Sequence, residues 1–354
     1  MDRRELIDKG VGALVLAAIP RSVLAQPGAV TSLDKTPIAI SSANLHWLRA
    51  PVEIAKAAIE MGFGAVTLTV GPPPAHVSFD GAPLNLAAFV QGLRAAGIQV
   101  ETISCPADLS PDMANLEALL AAASALNIKQ YIFGPYPYAA GQPILTQIDA
   151  FKSRFSVLAR LNTHHGIRGL YRNRAGFYLG ALLFDLAGLL RGIEPSAIGI
   201  CYDTGQGALA GGNNSWKAGI LGAGPYLGGL ICTDCTLHFQ LDANQGGAFI
   251  GTPEDLAANF KAGGMRPYGG GGGQTNPWIA PAVPLGTGLV DLPQLATVLR
   301  EIGFKGQLTV QSDYPNGGTE NGGDKLSLPR ALVLGAIKRD LLTLKAGLAI
   351  GGFI

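Results

Sequence analysis

Two stretches of sequence decide the fold, Arg168-Gly-Leu-Tyr-Arg-Asn-Arg174 and Ile198-Gly-Ile-Cys-Tyr-Asp-Thr-Gly-Gln206. Each is typical of a strand that ends in polar residues, and residues 181–192 between them carry leucines at helical spacing. Because side chains alternate across a strand, the bulky residues of the second stretch share one face and the small residues share the other with Asp203. The two stretches therefore predict a strand–helix–strand unit with Asp203 inside a barrel.

The same patterns continue along the chain in both directions. Further strands are predicted over residues 37–42, 65–70, 98–103, 129–133, 227–233 and 306–313, and further helices over 51–62, 84–96, 112–126, 147–165, 292–302 and 328–344. The alternation of strands and helices predicts an α/β protein, a single-domain (β/α)8 TIM barrel over residues 37–346. A doubly wound open sheet is the alternative.

The two ends of the chain are expected to lie outside the barrel. Arg3-Arg4, an apolar run over residues 10–19 and a small-residue site before Gln26 are typical of a twin-arginine export signal over residues 1–25, followed by a linker over 26–36. An uncleaved amphipathic N-terminus is the alternative. We expect a periplasmic protein with no membrane span and an apolar tail over residues 347–354.

The segment after the seventh strand, residues 234–291, contains no strand or helix of ordinary length and includes Gly269–Gly273. A loop of this length is usually functional or disordered, so we expect a lid or a docking surface over the barrel mouth, or disorder of the glycine tract. It does not have the Lys-Ser/Thr of a phosphate-binding loop.

Composition restricts the class of ligand. Charged residues make up 14% of the chain and the net charge is +1, which argues against nucleic acid as a partner. A neutral or weakly anionic small molecule is the expected target. The four cysteines are interpreted as buried thiols, with a disulfide or a metal or redox role for Cys232-Thr-Asp-Cys235 as alternatives.

Polar residues at the predicted strand ends are the candidate site, since these ends meet at one mouth of a barrel. They are His46, Glu101, Arg172, Asn173, Arg174, Asp203, Gln206, Asp234, Gln311 and Asp313. Carboxylates from several strands can hold a divalent cation that polarises a sugar carbonyl. A carboxylate can also remove a proton from the carbon beside that carbonyl.

Several motifs carry a resemblance to a known family. They are Tyr202-Asp203, Gly211-Gly212 with Trp216, Pro225-Tyr226, Pro284-Leu-Gly-Thr-Gly-Leu-Val-Asp291, Tyr314-Pro315 with Gly317-Gly318, and Arg339-Asp-Leu-Leu-Thr-Leu344. From about residue 166 to 347 the chain resembles the xylose isomerase-like barrel superfamily, in particular its sugar phosphate isomerase/epimerase group. The resemblance implies metal-assisted proton transfer on a keto-sugar.

The departures from the family pattern fall at the expected metal ligands. Relatives have His-Asn-His at Arg172-Asn173-Arg174, His at Gln206 and at Gly228, Lys-Asp at Thr233-Asp234, and Glu at Asp313 and at Thr287. The remaining metal candidates are Asp203, Asp234 and Asp313, with Gln206. This all-oxygen set would hold Mg or Mn weakly, or no metal.

Arg172 and Arg174 lie two residues apart and share one strand face. Paired guanidinium groups suit a carboxylate or phosphate group of a substrate. Alternatively, they pair with Asp203 or Asp234 and fill the space of the cation.

Three hypotheses for function follow. The first is an exported sugar isomerase or epimerase that removes a proton beside a carbonyl, with Asp203, Asp313 and Glu101 as catalytic candidates. Its substrate-binding candidates are Arg172, Arg174, His46, Trp47, Gln206 and Trp278. The second is a lyase or hydratase of oxidised (3-keto) glycosides. The third is a barrel that has lost catalysis and serves as a binding or assembly subunit, with a protein partner at the 234–291 loop or a second copy of the chain.

Overall fold

Eight parallel strands form a closed barrel in the computed structural model, which describes residues 38–79, 81–105, 113–239 and 278–354. The strands are β1 Ala39–Ser41, β2 Ala65–Thr69, β3 Gln99–Ser104, β4 Gln130–Phe133, β5 Arg168–Arg172, β6 Ile198–Asp203, β7 Leu227–Cys232 and β8 Gln307–Val310. Each strand pairs with the next, and β1 closes the barrel against β8. The export signal, the linker and the Gly269–Gly273 tract lie outside the described residues.

A helix follows every strand. The helices are α1 Pro51–Met61, α2 Ala82–Ala95, α3 Met113–Ala125, α4 Ile144–His165, α5 Phe184–Leu190, α6 Thr204–Ala223, α7 Leu292–Glu301 and α8 Arg330–Ile350. The predicted (β/α)8 barrel is confirmed, and the closed sheet excludes the doubly wound alternative. Among the described residues, no helix has the length and apolar character needed to cross a membrane.

The two faces of the strands have the predicted characters. Ile198, Ile200 and Tyr202 of β6 belong to the large apolar core between the sheet and the helices. Cys201 lies on the other face, in a small interior cluster with Ile132, Leu170 and Ile231. Asp203 is therefore on the interior face, because it lies two residues after Cys201.

The segment after β7 is more ordered at its two ends than the sequence predicts. Asp234–Cys235 pairs antiparallel with Ala282–Val283, and His238–Phe239 pairs with Trp278–Ile279. The two ends of the segment therefore run side by side above the barrel. Its middle, residues 240–277, lies outside the described residues.

The closing helix is longer than predicted, since α8 continues past Leu344 to Ile350. A β-carbon at Gly347 would lie 2.5 Å from the Leu292 side chain, so glycine allows α8 to pack closely against α7 at this point. Leu348 is buried beyond it, and Phe353 packs against Phe304. Most of the residues expected to form a tail therefore belong to the packed structure.

All four cysteines are free and buried. Burial raises the pKa of the Cys105, Cys201 and Cys235 thiols to about 12, and it raises that of Cys232 as well. The interpretation of the cysteines as buried thiols is confirmed, and Cys232 and Cys235 form no disulfide. At these pKa values the thiols are protonated and poorly reactive at neutral pH.

Candidate active site

The ends of β5, β6 and β8 bring two carboxylates to one guanidinium group. Arg172 donates from Nε (3.0 Å) and Nη2 (2.5 Å) to Oδ2 of Asp203. Its Nη2 also lies 4.0 Å from Oδ2 of Asp313. Arg172 and Asp203 are the last residues of β5 and β6, on the interior faces, so both side chains reach the centre of the mouth.

Both oxygens of Asp203 are engaged within the protein. Oδ1 accepts hydrogen bonds from the hydroxyl of Thr233 (2.6 Å) and from the backbone N–H of Gln206 (3.1 Å). Oδ2 accepts the two bonds from Arg172. Because helix α6 begins at Thr204, Asp203 is also its N-cap residue, and its side chain is fully buried. Asp203 therefore holds Arg172 in place.

Asp313 has a different environment. Its Oδ1 accepts a hydrogen bond from the Gln311 amide at 2.8 Å, and its side chain is 19% exposed. Among the described residues none donates a hydrogen bond to Oδ2. Burial raises the pKa of Asp313, with a further contribution from Asp203, and this outweighs the opposing effect of Arg172. Asp313 is thus a carboxyl group with a raised pKa and an available oxygen.

The guanidinium of Arg172 is permanently charged and partly accessible. Burial alone would lower the pKa of Arg172, but the facing carboxylates of Asp203 and Asp313 outweigh burial and raise it. Its side chain is 22% exposed, and Nη1 also donates to the Gln311 amide oxygen at 3.4 Å. Three of its five N–H groups are used within the described chain, which leaves two for a ligand.

Side chains to which the sequence assigned no role hold this group in position. The Asn173 amide oxygen accepts from the backbone N–H of Asp203 (2.6 Å). Asn44 makes two hydrogen bonds with the backbone of Ser312, between Gln311 and Asp313. The position of Asn173 between two strand-end arginines was the available signal, whereas Asn44 has no recognisable pattern.

Asp340 of α8 is a third such residue. Its carboxylate accepts hydrogen bonds from the hydroxyls of Ser312 (2.7 Å) and Tyr314 (2.8 Å) and from the backbone N–H of Leu285 (3.1 Å). Burial raises the pKa of Asp340, and these hydrogen bonds oppose the shift. Asp340 belongs to one of the motifs that carry the family resemblance, but the sequence assigned it no contact.

Asp234 is separate from this group and supports a loop. Its oxygens accept hydrogen bonds from four backbone N–H groups, those of Cys235, Gly286, Gly288 and Val290, at 2.9–3.1 Å. A β-carbon at Gly288 would lie 2.4 Å from Oδ1 of Asp234, so this arrangement requires glycine. The carboxylate predicted as a metal ligand is therefore already saturated.

Glu101 does not face the mouth, and Gln206 is engaged within the protein. Thr102 donates to Gln307 inside the barrel, so the adjacent Glu101 faces the opposite way. Glu101 also lies near the start of the neighbouring strand, since the N–H of Lys129 bonds to its carbonyl. Gln206 is buried, and its amide oxygen accepts from the backbone N–H of Ala175, so it braces the loop after β5.

His46 lies on the β1–β2 side of the mouth and is buried. Its Nε2 is 3.4 Å from the Thr69 hydroxyl, and its ring lies 5.0 Å from that of His76. Burial, with His76 and Arg49, lowers the pKa of His46 to about 4, so the ring is neutral at neutral pH. The neighbouring Trp47 packs against the core with its Nε1 buried.

The last two binding candidates are Arg174 and Trp278. Arg174 places its guanidinium 5.0 Å from the centre of the Tyr178 ring, a cation–π contact, and it lowers the pKa of Asp313. Trp278 begins a two-residue strand that pairs with Phe239, and its side chain is outside the described part of the structure.

The sequence of the chain was compared with protein families and with curated protein sequences. The profile of the family described as xylose isomerase-like TIM barrel matches residues 55–328, from before β2 to beyond β8. The chain belongs to this family. Among curated protein sequences, none matches the chain significantly.

Solved structures of the xylose isomerase-like family share the fold. D-psicose 3-epimerase from Clostridium cellulolyticum H10 is 13% identical, with a TM-score of 0.59 over 88% of this chain and 99% of that one. A xylose isomerase-like TIM barrel protein from Mycobacterium smegmatis, in complex with magnesium, is 15% identical, with a TM-score of 0.58 over 90% and 100%. The 3-keto-D-glucoside 4-epimerase from E. coli is 12% identical, with a TM-score of 0.57 over 87% and 98%. At these identities the likeness shows the fold alone.

The residues at the mouth of this family member do not fit a divalent cation. Both oxygens of Asp203 are engaged, Asp234 is saturated, and the positive charge of Arg172 lies between Asp203 and Asp313. The interior position of β7 that pairs with Asp203 is the apolar Ile231. Arg172 pairs with Asp203, as one of the two interpretations of the arginines predicted, whereas Arg174 packs on Tyr178.

Gly228, where relatives have a histidine, is not at the mouth. A β-carbon there would lie 2.6 Å from the guanidinium of Arg168, at the start of β5. Ile200 pairs with Leu227 and Cys201 pairs with Gly229, so Gly228 is an extra residue in the ladder. Such a one-residue shift is invisible in the sequence.

Proposed function

We propose that the protein is an isomerase or epimerase of carbonyl-bearing sugars, with Asp313 as the base and Arg172 as the cationic group beside the carbonyl oxygen. The observation that carries this proposal is the pairing of a carboxyl of raised pKa, with an available oxygen, with a guanidinium 4.0 Å away at the mouth of the barrel. Membership of the family and its sugar epimerase structures support the choice of substrate class.

Asp313 meets the requirements of a general base. A catalytic base is most effective when its pKa lies close to the working pH, and burial moves the pKa of Asp313 in that direction. Its Oδ2 takes the proton from the carbon next to the carbonyl. The electrons of the broken C–H bond form a C=C bond, and the carbonyl π electrons move to oxygen to give an enediolate.

Arg172 stabilises the oxygen on which this negative charge develops. Two of its N–H groups are available, and a fixed donor aimed at developing charge is among the largest contributions to catalysis. Asp203 is a positioning residue in this scheme, because its two oxygens are engaged with Arg172, Thr233 and the start of α6. Return of the proton from Asp313 to the former carbonyl carbon gives the isomer, while the hydroxyl proton on the neighbouring carbon passes to the former carbonyl oxygen. Delivery of a proton from water or a second acid to the opposite face of the first carbon gives the epimer, and Asp313 then releases its proton to solvent.

The substrate is expected to be a neutral or weakly anionic sugar. Arg174 offers a second positive charge at the edge of the site, suited to an acidic group of the sugar. The neutral ring of His46 offers a hydrogen bond to a hydroxyl on the β1–β2 side. We also propose, from the paired arginines at positions 3 and 4, that the protein acts outside the cytoplasm.

The test is exchange of carbon-bound hydrogen with solvent. Purified protein is incubated in D2O with a panel of ketoses, uronic acids and 3-keto glycosides, and the sugars are analysed by mass spectrometry and NMR. We expect one deuterium to enter at the carbon beside the carbonyl of at least one sugar, and this exchange to be lost in Asp313→Asn.

The matched control is Asp291→Asn, since Asp291 is the acidic N-cap residue of helix α7. It should exchange deuterium as the native protein does. Loss of a leaving group in place of simple exchange would identify the lyase alternative, which shares the first proton transfer. If no sugar exchanges, or if Asp313→Asn exchanges equally well, the proposal fails and the hypothesis of a binding or assembly subunit takes its place.

A further inference from the structure

A cluster of metal-binding side chains lies in the outer helix layer, apart from the mouth. Glu117 of α3 and His164 and His165 of α4 each place one ligand atom within 4.8 Å of the others. Oε1 of Glu117 is 3.7 Å from Nε2 of His165, and the two imidazole rings are 4.8 Å apart and nearly perpendicular. Arg172 and Asp203 point into the barrel, whereas this cluster lies in the outer helix layer. Glu117, His164 and His165 therefore take no part in the proposed reaction.

The environment of His165 is incomplete without a further ligand. Its side chain is only 13% exposed, and Nε2 is buried with no hydrogen-bond partner among the described residues. The 3.7 Å separation from Glu117 exceeds the length of a hydrogen bond. A buried polar atom without a partner destabilises a protein, whereas a cation bound between Nε2 and the carboxylate would satisfy both groups.

The types of ligand atom select the cation. Two imidazole nitrogens and one carboxylate oxygen form the protein ligand set of several known zinc sites, in which water is the fourth ligand. Magnesium and calcium prefer oxygen ligands throughout. The last turn of α4, which carries both histidines, also contributes the negative end of its helix dipole.

We propose that Glu117, His164 and His165 form a zinc site that links α3 to the end of α4. Zinc–nitrogen bonds of about 2.0–2.1 Å require the three groups to move closer together. Glu117 and His164 are exposed and have room to do so, while His165 is held by its surroundings. The link would join two neighbouring helices and stabilise the barrel.

Zinc binding to chelator-treated protein without a polyhistidine tag tests the proposal. Calorimetric titration is expected to show one zinc ion per chain and no uptake of magnesium by the cluster. The melting temperature should rise by several degrees at a zinc concentration about 100-fold above Kd. The variants His165→Asn and Glu117→Gln are expected to lose the stoichiometric binding and the shift in melting temperature.

The control variant is His238→Asn, which removes an exposed histidine at a distant hairpin. It should bind zinc as the native protein does, and Asp203→Asn should do the same. The proposal is overturned if the native protein binds no zinc, or if His165→Asn binds it unchanged. Loss of zinc binding in Asp203→Asn alone would place the metal at the mouth and also overturn it. Deuterium exchange by Glu117→Gln is expected to equal that of the native protein, so the two proposals fail independently.

Discussion

Two arginines of the same strand, Arg168 and Arg172, lie at opposite ends of β5 in opposite environments. The guanidinium of Arg168 donates to the carbonyl oxygens of Pro225 (3.2 Å) and Tyr226 (2.9 Å). A β-carbon at Gly199 or Gly228 would lie within 2.6 Å of it, so Arg168 occupies space that these glycines leave. Burial lowers its pKa, and no carboxylate is paired with it in the described structure.

Arg172, four residues further along β5, has charged partners whose effect on its pKa exceeds that of burial. Carboxylates raise its pKa in spite of burial, and two of its N–H groups are available at the mouth. A partly buried arginine can therefore fill space or serve a reaction, and its partners distinguish the two cases. Neutral carbonyl partners indicate a structural role, whereas carboxylate partners that shift one another's pKa at an accessible strand end are typical of a functional site.

Removal of the Asp313 carboxylate, which faces Arg172, is expected to have the largest effect on turnover. Asp313→Asn should lower the turnover of the responsive sugar by roughly 10²- to 10⁴-fold, because the amide cannot accept the proton. The rate of deuterium entry measures this loss. Asp313 would have no catalytic role if the variant kept native turnover.

A matched pair of substitutions separates the two arginines. Arg172→Gln should lower turnover by roughly 10²- to 10³-fold, since it removes the donor at the developing negative charge. Arg168→Gln should leave the turnover of the folded protein nearly unchanged. It should instead lower the free energy of unfolding by about 1–3 kcal/mol, because carbonyl oxygens lose donors.

Steady-state kinetics and urea unfolding of both variants make this comparison, with Arg172→Lys as a charge-conserving control. Equal losses of turnover in the two glutamine variants would show that Arg172 has no special role. Recovery by lysine would show that charge matters more than the planar fork of the guanidinium.

The substitution Asp313→Asn is also expected to raise the free energy of unfolding at neutral pH, which is a smaller effect than the loss of turnover. A carboxyl whose folded pKa is raised contributes stability that is fully present below its unfolded pKa and is lost as the pH rises through the folded pKa. The asparagine variant should therefore be more stable than the native protein at pH 7, by about 0.5–2 kcal/mol. The difference should vanish near pH 3, and thermal unfolding at both pH values tests this. A less stable variant at pH 7 would indicate that Asp313 serves mainly as a structural partner of Arg172.

The pH dependence of activity also distinguishes Arg172 from Arg168. Asp313 must be ionised to act as a base, so kcat/KM should fall as the pH falls through its raised pKa. Arg172 lowers this pKa, so the acid limb of the residual activity of Arg172→Gln should move to higher pH. Arg168→Gln should keep the native limb. An unmoved limb in Arg172→Gln would assign the titration to another group.

The sequence predicted the framework of the site well. Alternation along β6 placed Asp203 on the interior face, and the positions of Arg172 and Asp313 at strand ends placed them at one mouth. These predictions succeeded because the direction of a side chain on a strand depends on its immediate neighbours. The same reasoning gave a wrong prediction for Glu101. The pairing of β2 with β3 shifts by one residue after Ala65, so Thr102 lies on the interior face and Glu101 does not.

Partners from distant segments could not be predicted. Asp234 resembles a metal ligand in the sequence, yet it binds four backbone N–H groups, three of them more than 50 residues away. Asn44 and Asp340, which position the end of β8, carry no local signal of that role. A hydrogen bond between distant segments depends on how strands and helices pack, and this information is spread over the whole chain.

Local sequence patterns were sufficient to predict a (β/α)8 barrel with charged strand ends, because hydrophobic periodicity and turn residues act over a few positions. The partners of the two arginines, Asp203 and Asp313 for Arg172 and carbonyl groups for Arg168, depend on the tertiary structure. Strand register and barrel closure determine which side chains lie close enough to a charged group to pair with it. A single extra residue at Gly228 is enough to change which side chains meet.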